Sequence, residues 1–222
     1  MDPEDIIRYY PCLYHMAESG SWPSIQRHGL LSTTALLDMY EVNANDRFTI
    51  ESQQRRESVT IHHPVYGSAV IRDQKPLREG TLQKLIDGMS TREYYELLNR
   101  MTFFWARRVR LERLLNARAY RNKTHTVLIV DTRSLINTHQ NRIWLTHINS
   151  GASIYGVGRR GVGTFKRIIE YPFEEMIKKK KDDAIVEVAV DYAVKDIFKH
   201  TIRVEEWFEK NPVRIIWEMK HV

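Results

Sequence analysis

Apolar and polar residues follow two periods along this chain. Between residues 22 and 31 (Trp-Pro-Ser-Ile-Gln-Arg-His-Gly-Leu-Leu) the spacing predicts a short helix, with Ser21 as N-cap, Pro23 in the first turn and Gly29 at its end. Residues 32–42 predict a second helix, capped at Ser32 or Thr33, and 79–87 and 91–100 two more, the latter capped by Ser90 or Thr91. A period of two marks 58–63 and 67–72, which read as a hairpin or adjacent strands around Pro64 and Gly67. Further strands are expected at 101–106, 126–131, 142–146, 184–190, 197–204 and 213–217. Between them, 108–119 is basic and amphipathic, 132–137 a helical turn, 149–163 a loop and 164–171 a helix. Lys178 to Lys181, followed at once by Asp182 and Asp183, read as a solvated turn.

These elements predict an α+β fold in one continuous domain, residues 1–222, without repeats or low-complexity linkers. Strands do not alternate with ten- to fifteen-residue helices, so a doubly wound parallel sheet is disfavoured. A chain of 222 residues buries roughly 70% of its surface on folding and needs no metal or disulfide to hold a core. Its single cysteine, Cys12, excludes an intramolecular disulfide and a cysteine-cluster metal site, and is expected to act as a small buried hydrophobe. With no secretory leader and no apolar run near eighteen residues, a cytoplasmic protein without membrane association is expected.

Charge narrows the choice of partner. Thirty-four Lys plus Arg against 28 Asp plus Glu leave a net +6, a balance that suits a polyanion. Arg107, Arg108, Arg110, Arg113, Arg118 and Arg121 cluster beside the aromatic run Phe103-Phe104-Trp105. Two readings stand open: a groove that contacts phosphates and stacks bases, or a solvated helix.

Candidate chemistry is sparse. Gly156-Val-Gly158-Arg-Arg-Gly161 spells a dinucleotide fingerprint, but too few residues follow it to complete a Rossmann half; it reads as a basic loop whose Arg159 and Arg160 can touch phosphate. The histidines lack helical His-x-x-x-His spacing and an accompanying Asp or Cys set, so no metal is expected. No Gly-x-Ser-x-Gly elbow supports a serine hydrolase, and no clustered acidic pair a metal nuclease. The most pointed feature is Glu187 within Ala184-Ile-Val-Glu-Val-Ala-Val. Alternation sets Val186, Val188 and Val190 toward the core and Glu187 toward a cleft; an edge-strand glutamate in a salt bridge is the plainer alternative.

Two strings carry a family resemblance. LYHMAESGSWPSIQRHGLLS, with His15 closing a short strand and a helix ending in Gly-Leu, resembles the first motif of the ADP-ribosyltransferase fold. AIVEVAVDYAVKDIFKHTIRV resembles the last motif of DarT-type nucleic-acid ADP-ribosyltransferases, an apolar strand that carries the catalytic glutamate. RRESVTIHHPVYGSAVIRDQKPL and MTFFWARRVRLERLL fall at the arginine segment and the central aromatic strand. The chain also resembles an uncharacterised bacterial family that shares the LYHM, IRDQ and INSG strings.

The resemblance implies a central split or mixed sheet flanked by helices, NAD as co-substrate, no metal, and a DNA or RNA base as acceptor. It further implies a bacterial toxin or anti-phage effector with a possible antitoxin partner. By it, Glu187 is catalytic, stabilising positive charge at the ribose as nicotinamide departs, and His15 binds ribose. Arg56 pairs with the diphosphate, with Arg55 and Arg72 as alternatives. Ser24, Phe104 and Trp105 fall to the cofactor, and Arg107, Arg108, Arg110, Arg159 and Arg160 to nucleic acid. Asn149-Ser150 either contact substrate or cap a loop. A non-catalytic nucleic-acid-binding domain and a transferase acting on protein or a small molecule remain rival expectations.

Overall fold

A computed structural model of the chain describes residues 1–154 and 158–220. Its backbone is one eight-stranded sheet with helices packed around it. Numbered along the chain, the strands are β1 (Cys12–Glu18), β2 (Met101–Trp105), β3 (Thr124–Asp131), β4 (Ile143–Thr146), β5 (Lys166–Arg167), β6 (Glu187–Asp191), β7 (Thr201–Phe208) and β8 (Asn211–Glu218). They lie in the order β5-β4-β6-β2-β1-β3-β7-β8. Every neighbouring pair is antiparallel, so the fold is α+β as expected, but the sheet is not mixed.

The sheet is nearly parted in its middle. β1 pairs with β3 along its whole length, from Cys12 opposite Asp131 to Glu18 opposite His125. On its other side β1 meets β2 at the single pair Tyr14–Trp105. Beyond that rung the backbones diverge, and the gap becomes the floor of a cleft.

Helices α1 (Pro3–Tyr9), α2 (Trp22–His28), α3 (Thr33–Met39), α4 (Ala44–Glu51), α5 (Glu79–Leu85), α6 (Thr91–Asn99), α7 (Arg108–Leu115), α8 (Thr132–His139), α9 (Phe173–Lys180) and α10 (Ile197–His200) surround the sheet. Side chains of Asp2, Ser32, Asn43, Ser90 and Asp131 cap the N-termini of five of them. Ser32 caps α3 by accepting from the Ala35 N–H, and Ser90 and Glu93 form a reciprocal capping box on α6. Gly29 ends α2 at φ +88°, and a Cβ there would sit 2.5 Å from the Lys195 Cα. That close approach lets Leu30–Leu31 pair with Ala193–Val194 directly after β6.

The hydrophobic core divides by sheet face. One cluster gathers Leu13, Phe104, Leu128, Leu145, Val188 and Val190; another gathers Leu77, Leu82, Tyr94, Tyr95, Met101 and Ala189. Strand β6 is therefore buried on both faces, and it runs between β4 and β2 rather than at an edge. The hairpin Val59–His63/Gly67–Ile71 forms as expected, but as a separate two-stranded sheet.

Several expectations fail for identifiable reasons. Residues 164–171 are not helical: Lys166–Arg167 add to the sheet edge, and Ile168–Glu170 form a 3₁₀ turn. Lys178–Lys180 form the last turn of α9, which starts beyond Pro172 and packs buried Phe173 and partly buried Met176 and Ile177 against the core at helical spacing. Ile197–His200 is a helix rather than the start of a strand. His15 lies within β1 and does not close it. Among the described residues no helix is long and apolar enough to cross a membrane.

Candidate active site

A cleft of about 540 Å³ opens where β1 and β2 part, within the size range of small-molecule sites. His15, Ser24, Arg72, Trp105, Ser150 and Glu187 are among its walls. Sheet register explains how distant residues meet there: Tyr14 opposes Trp105, Trp105 opposes Glu187, and Glu187 opposes Thr146. Tyr14 and Glu187 thus stand two strand spacings apart on either side of β2, and His15 follows Tyr14 in β1.

His15 bridges the parting. Its Nδ1 lies 2.7 Å from the Phe103 carbonyl, an acceptor, so Nδ1 carries the proton and Nε2 keeps a lone pair. Burial drives the imidazole down to about 4, with the Arg72 charge pushing the same way, so His15 is neutral at pH 7. Phe104 packs beneath it with ring centres 5.8 Å apart and is only 1% exposed; it supports His15 more than it offers a face to ligand. Trp105 is half-buried beside the cleft.

Glu187 is 5% exposed. Its Oε2 accepts from the Ser150 N–H at 3.0 Å and from Ser150 Oγ at 2.6 Å. Burial raises the carboxyl to about 7, although both Ser150 bonds and the charges of Arg160 and Arg110 pull it down. It therefore keeps its proton to higher pH than an ordinary carboxyl does. The edge-strand salt-bridge alternative falls with the position of β6 inside the sheet.

The arginine candidates separate clearly. Arg56 is exposed and lies outside the cleft walls. Arg55 is buried; its guanidinium donates to the carbonyls of Ile50 and Arg72 and to Asn99 Oδ1, which commits it to holding the chain together. Burial lowers it to about 10, so it stays charged at pH 7. Arg72 lines the cleft, donates to the Met16 carbonyl at 3.3 Å and stacks on Tyr120 with its guanidinium 4.8 Å from the ring centre. Arg55 also borders the cleft, and Arg72 is the less buried of the two.

The surface arginines correct the charge picture. Arg110 makes a two-pronged bond to Asp183 at 3.1 and 2.6 Å, and Arg107 pairs with Asp182 at 3.1 Å. The two aspartates read as part of a solvated turn thus neutralise part of the basic stretch. Arg108 pairs with Glu112 and lies over the Trp207 ring, and exposed Arg159 pairs with Asp87. Arg160 is not on the surface: it is 4% exposed and donates to the carbonyls of Gly158, Asn149 and Ala152. Gly161, at φ +145° and with no room for a Cβ against the Asp87 carbonyl, lets Arg160 enter at the parallel bridge Ile86–Asp87/Arg160–Gly161. Gly156 of the glycine cluster lies outside the described residues.

Away from the cleft the fold gathers His139, Asp196 and His200, which spacing alone did not connect. Arg142, which can only donate, lies 2.7 Å from His139 Nδ1, so the His139 proton sits on Nε2 and points at Asp196, 2.8 Å away. His200 Nδ1 lies 2.6 Å from Ser134 Oγ. In this protonation the cluster is a hydrogen-bonded tie between α8 and α10.

A profile described as a family of unknown function, DUF7002, matches residues 11–201. The chain belongs to the DUF7002 family. No curated protein and no solved structure matches it. The DUF7002 segment contains His15, Arg72, Ser150 and Glu187, whereas β8 and nearly all of β7 lie beyond it. The three strings Leu-Tyr-His-Met, Ile-Arg-Asp-Gln and Ile-Asn-Ser-Gly each place one of these residues on the cleft wall: His15, Arg72 and Ser150.

Proposed function

We propose that this cleft is the active site of an NAD-dependent ADP-ribosyltransferase whose acceptor is a nucleic-acid base. The observation that carries the reading is the pairing of a neutral histidine with a buried carboxylate across the parted strands of one sheet. NAD fits the residues present. His15 keeps a lone pair on Nε2 to accept a ribose hydroxyl proton, Arg72 offers a cation to the diphosphate, and half-buried Trp105 offers a ring edge beside Glu187.

In the reaction the C1′–N bond to nicotinamide breaks and the pair of electrons leaves with the ring. Positive charge develops on the ribose, where ionised Glu187 opposes it in a poorly hydrated site. The acceptor nucleophile bonds to C1′ and passes its proton to the Glu187 carboxylate. NAD carries a positive charge on its nicotinamide, so its arrival favours the ionised form of Glu187.

A net charge of +6 supports a nucleic-acid acceptor. Neutralisation of Arg107 and Arg110 by Asp182 and Asp183 favours a second reading, transfer to a protein or a small molecule. Labelled NAD incubated with single-stranded DNA, single-stranded RNA and a protein extract separates them. Label on one nucleic acid with wild type, and none with Glu187→Gln, is the expected result. Label on protein alone selects the second reading, and intact NAD in every arm contradicts both.

A further inference from the structure

The loop Asn149–Ser153 is held far more firmly than a connecting loop requires. Arg160 donates to the carbonyls of Asn149 and Ala152, Tyr94 Oη donates to the Ser150 carbonyl at 3.0 Å, and the Ser153 N–H donates to the Pro76 carbonyl at 2.9 Å. Ser153 Oγ also accepts from the Arg78 N–H at 2.7 Å. Ser150 itself is 1% exposed. Everything this loop presents to the cleft is therefore fixed from behind by the side chains of Arg160 and Tyr94 and by two hydrogen bonds of Ser153.

What it presents is a pair of donors. Both fall on one oxygen of Glu187, Oε2, while Oε1 forms no hydrogen bond with any other described residue. A carboxylate gripped through one oxygen has a fixed rotamer and one oxygen left for chemistry. Other ionisable groups acting on Glu187 are Arg160 from the bridge beside the loop, Arg110 from α7 and Tyr94 from α6, with neutral His15 across the cleft.

We propose that Ser150 is a positioning residue for Glu187: it holds Oε2, turns Oε1 to the reacting ribose, and favours the ionised over the protonated carboxyl. Arg160 acts one step behind it, as the brace that keeps Ser150 in place. This assignment rests on the transferase reading for its consequence in catalysis, but the grip on the carboxylate stands apart from that reading. Ser150 touches no substrate in this scheme.

Ser150→Ala removes only Oγ, leaves the backbone N–H donor, and needs no new space. The test titrates the protein labelled with ¹³C at glutamate carboxyls, the Glu187 resonance being the one lost in Glu187→Gln. The expected midpoint for Glu187 rises by about 1 pH unit in Ser150→Ala, the effect of losing one charge-assisted hydrogen bond. Ser150→Thr, which restores a hydroxyl, returns it toward wild type. In parallel, the acidic limb of kcat/KM for NAD moves to higher pH by the same amount, with KM at high pH unchanged. An unmoved Glu187 midpoint in a folded Ser150→Ala overturns the proposal, as does a rate loss whose pH dependence matches wild type. If wild type consumes no NAD the transferase reading fails, yet the carboxyl titration still decides whether Ser150 controls Glu187.

Discussion

Two carboxylates four residues apart, Asp183 and Glu187, meet opposite environments. Burial raises the Asp183 carboxyl, but the two-pronged bond from Arg110 and the charges of Arg110, Arg107 and Arg113 outweigh it and hold it below its ordinary value. Glu187 is bonded to a serine, and its carboxyl rises to about 7. Asp183 is matched to cations and stays charged, which ties the approach to β6 onto α7. Glu187 is kept where its charge is costly, an arrangement that structure alone does not favour.

The sharpest way to break this contrast is Glu187→Gln, which keeps size and hydrogen-bonding capacity but removes the charge. Turnover of NAD is expected to fall about 10²–10⁴-fold with the fold intact, measured by nicotinamide release. The same substitution carries an opposite sign in stability. Between about pH 4.5 and 7 the folded protein holds the Glu187 proton more tightly than the unfolded chain does, so wild type loses stability as pH rises through that window. Glu187→Gln has no such loss, and its advantage over wild type in denaturant titrations is expected to grow by about 3 kcal/mol from pH 4 to pH 8. A constant difference across that range contradicts the raised carboxyl.

His15→Ala tests the other side of the parted strands. It removes a lone pair from the cleft and the tie to the Phe103 carbonyl, so KM for NAD is expected to rise about tenfold, with a smaller change in kcat. The smallest effect belongs to the cation-matched carboxylate. Arg110→Ala breaks a partly buried pair and is expected to cost about 1 kcal/mol or less, decreasing with added salt, with NAD turnover on the alkaline plateau little changed.

The elements written plainly in the chain were those with strong local signals: the buried run of β3, the Ser90–Glu93 capping box, the Ser32 cap and the hairpin around Gly67. Glu187 also stood out, because a charged residue in an apolar run is conspicuous whatever its partners. Helix α9 was hidden by its lysines, since only Phe173, Met176 and Ile177 mark its inner face. The split of Arg159 from Arg160 could not be read locally: adjacent and chemically identical, they differ because Gly161 admits one of them to the interior. The bond from Ser150 to Glu187 was not legible either, because the two residues lie 37 positions apart and only the sheet brings them together. Such long-range pairings depend on sheet order, and β6 between β4 and β2 is a fact of topology that no window of sequence contains.

The most direct measurement of the central claim is nicotinamide release from NAD by wild type and Glu187→Gln, followed from pH 5 to pH 9 with nucleic acid present. The account predicts wild-type kcat/KM rising with pH to a plateau with a midpoint near 7, and Glu187→Gln flat and lower by orders of magnitude. Equal rates in the two proteins, or no release from either, would contradict it.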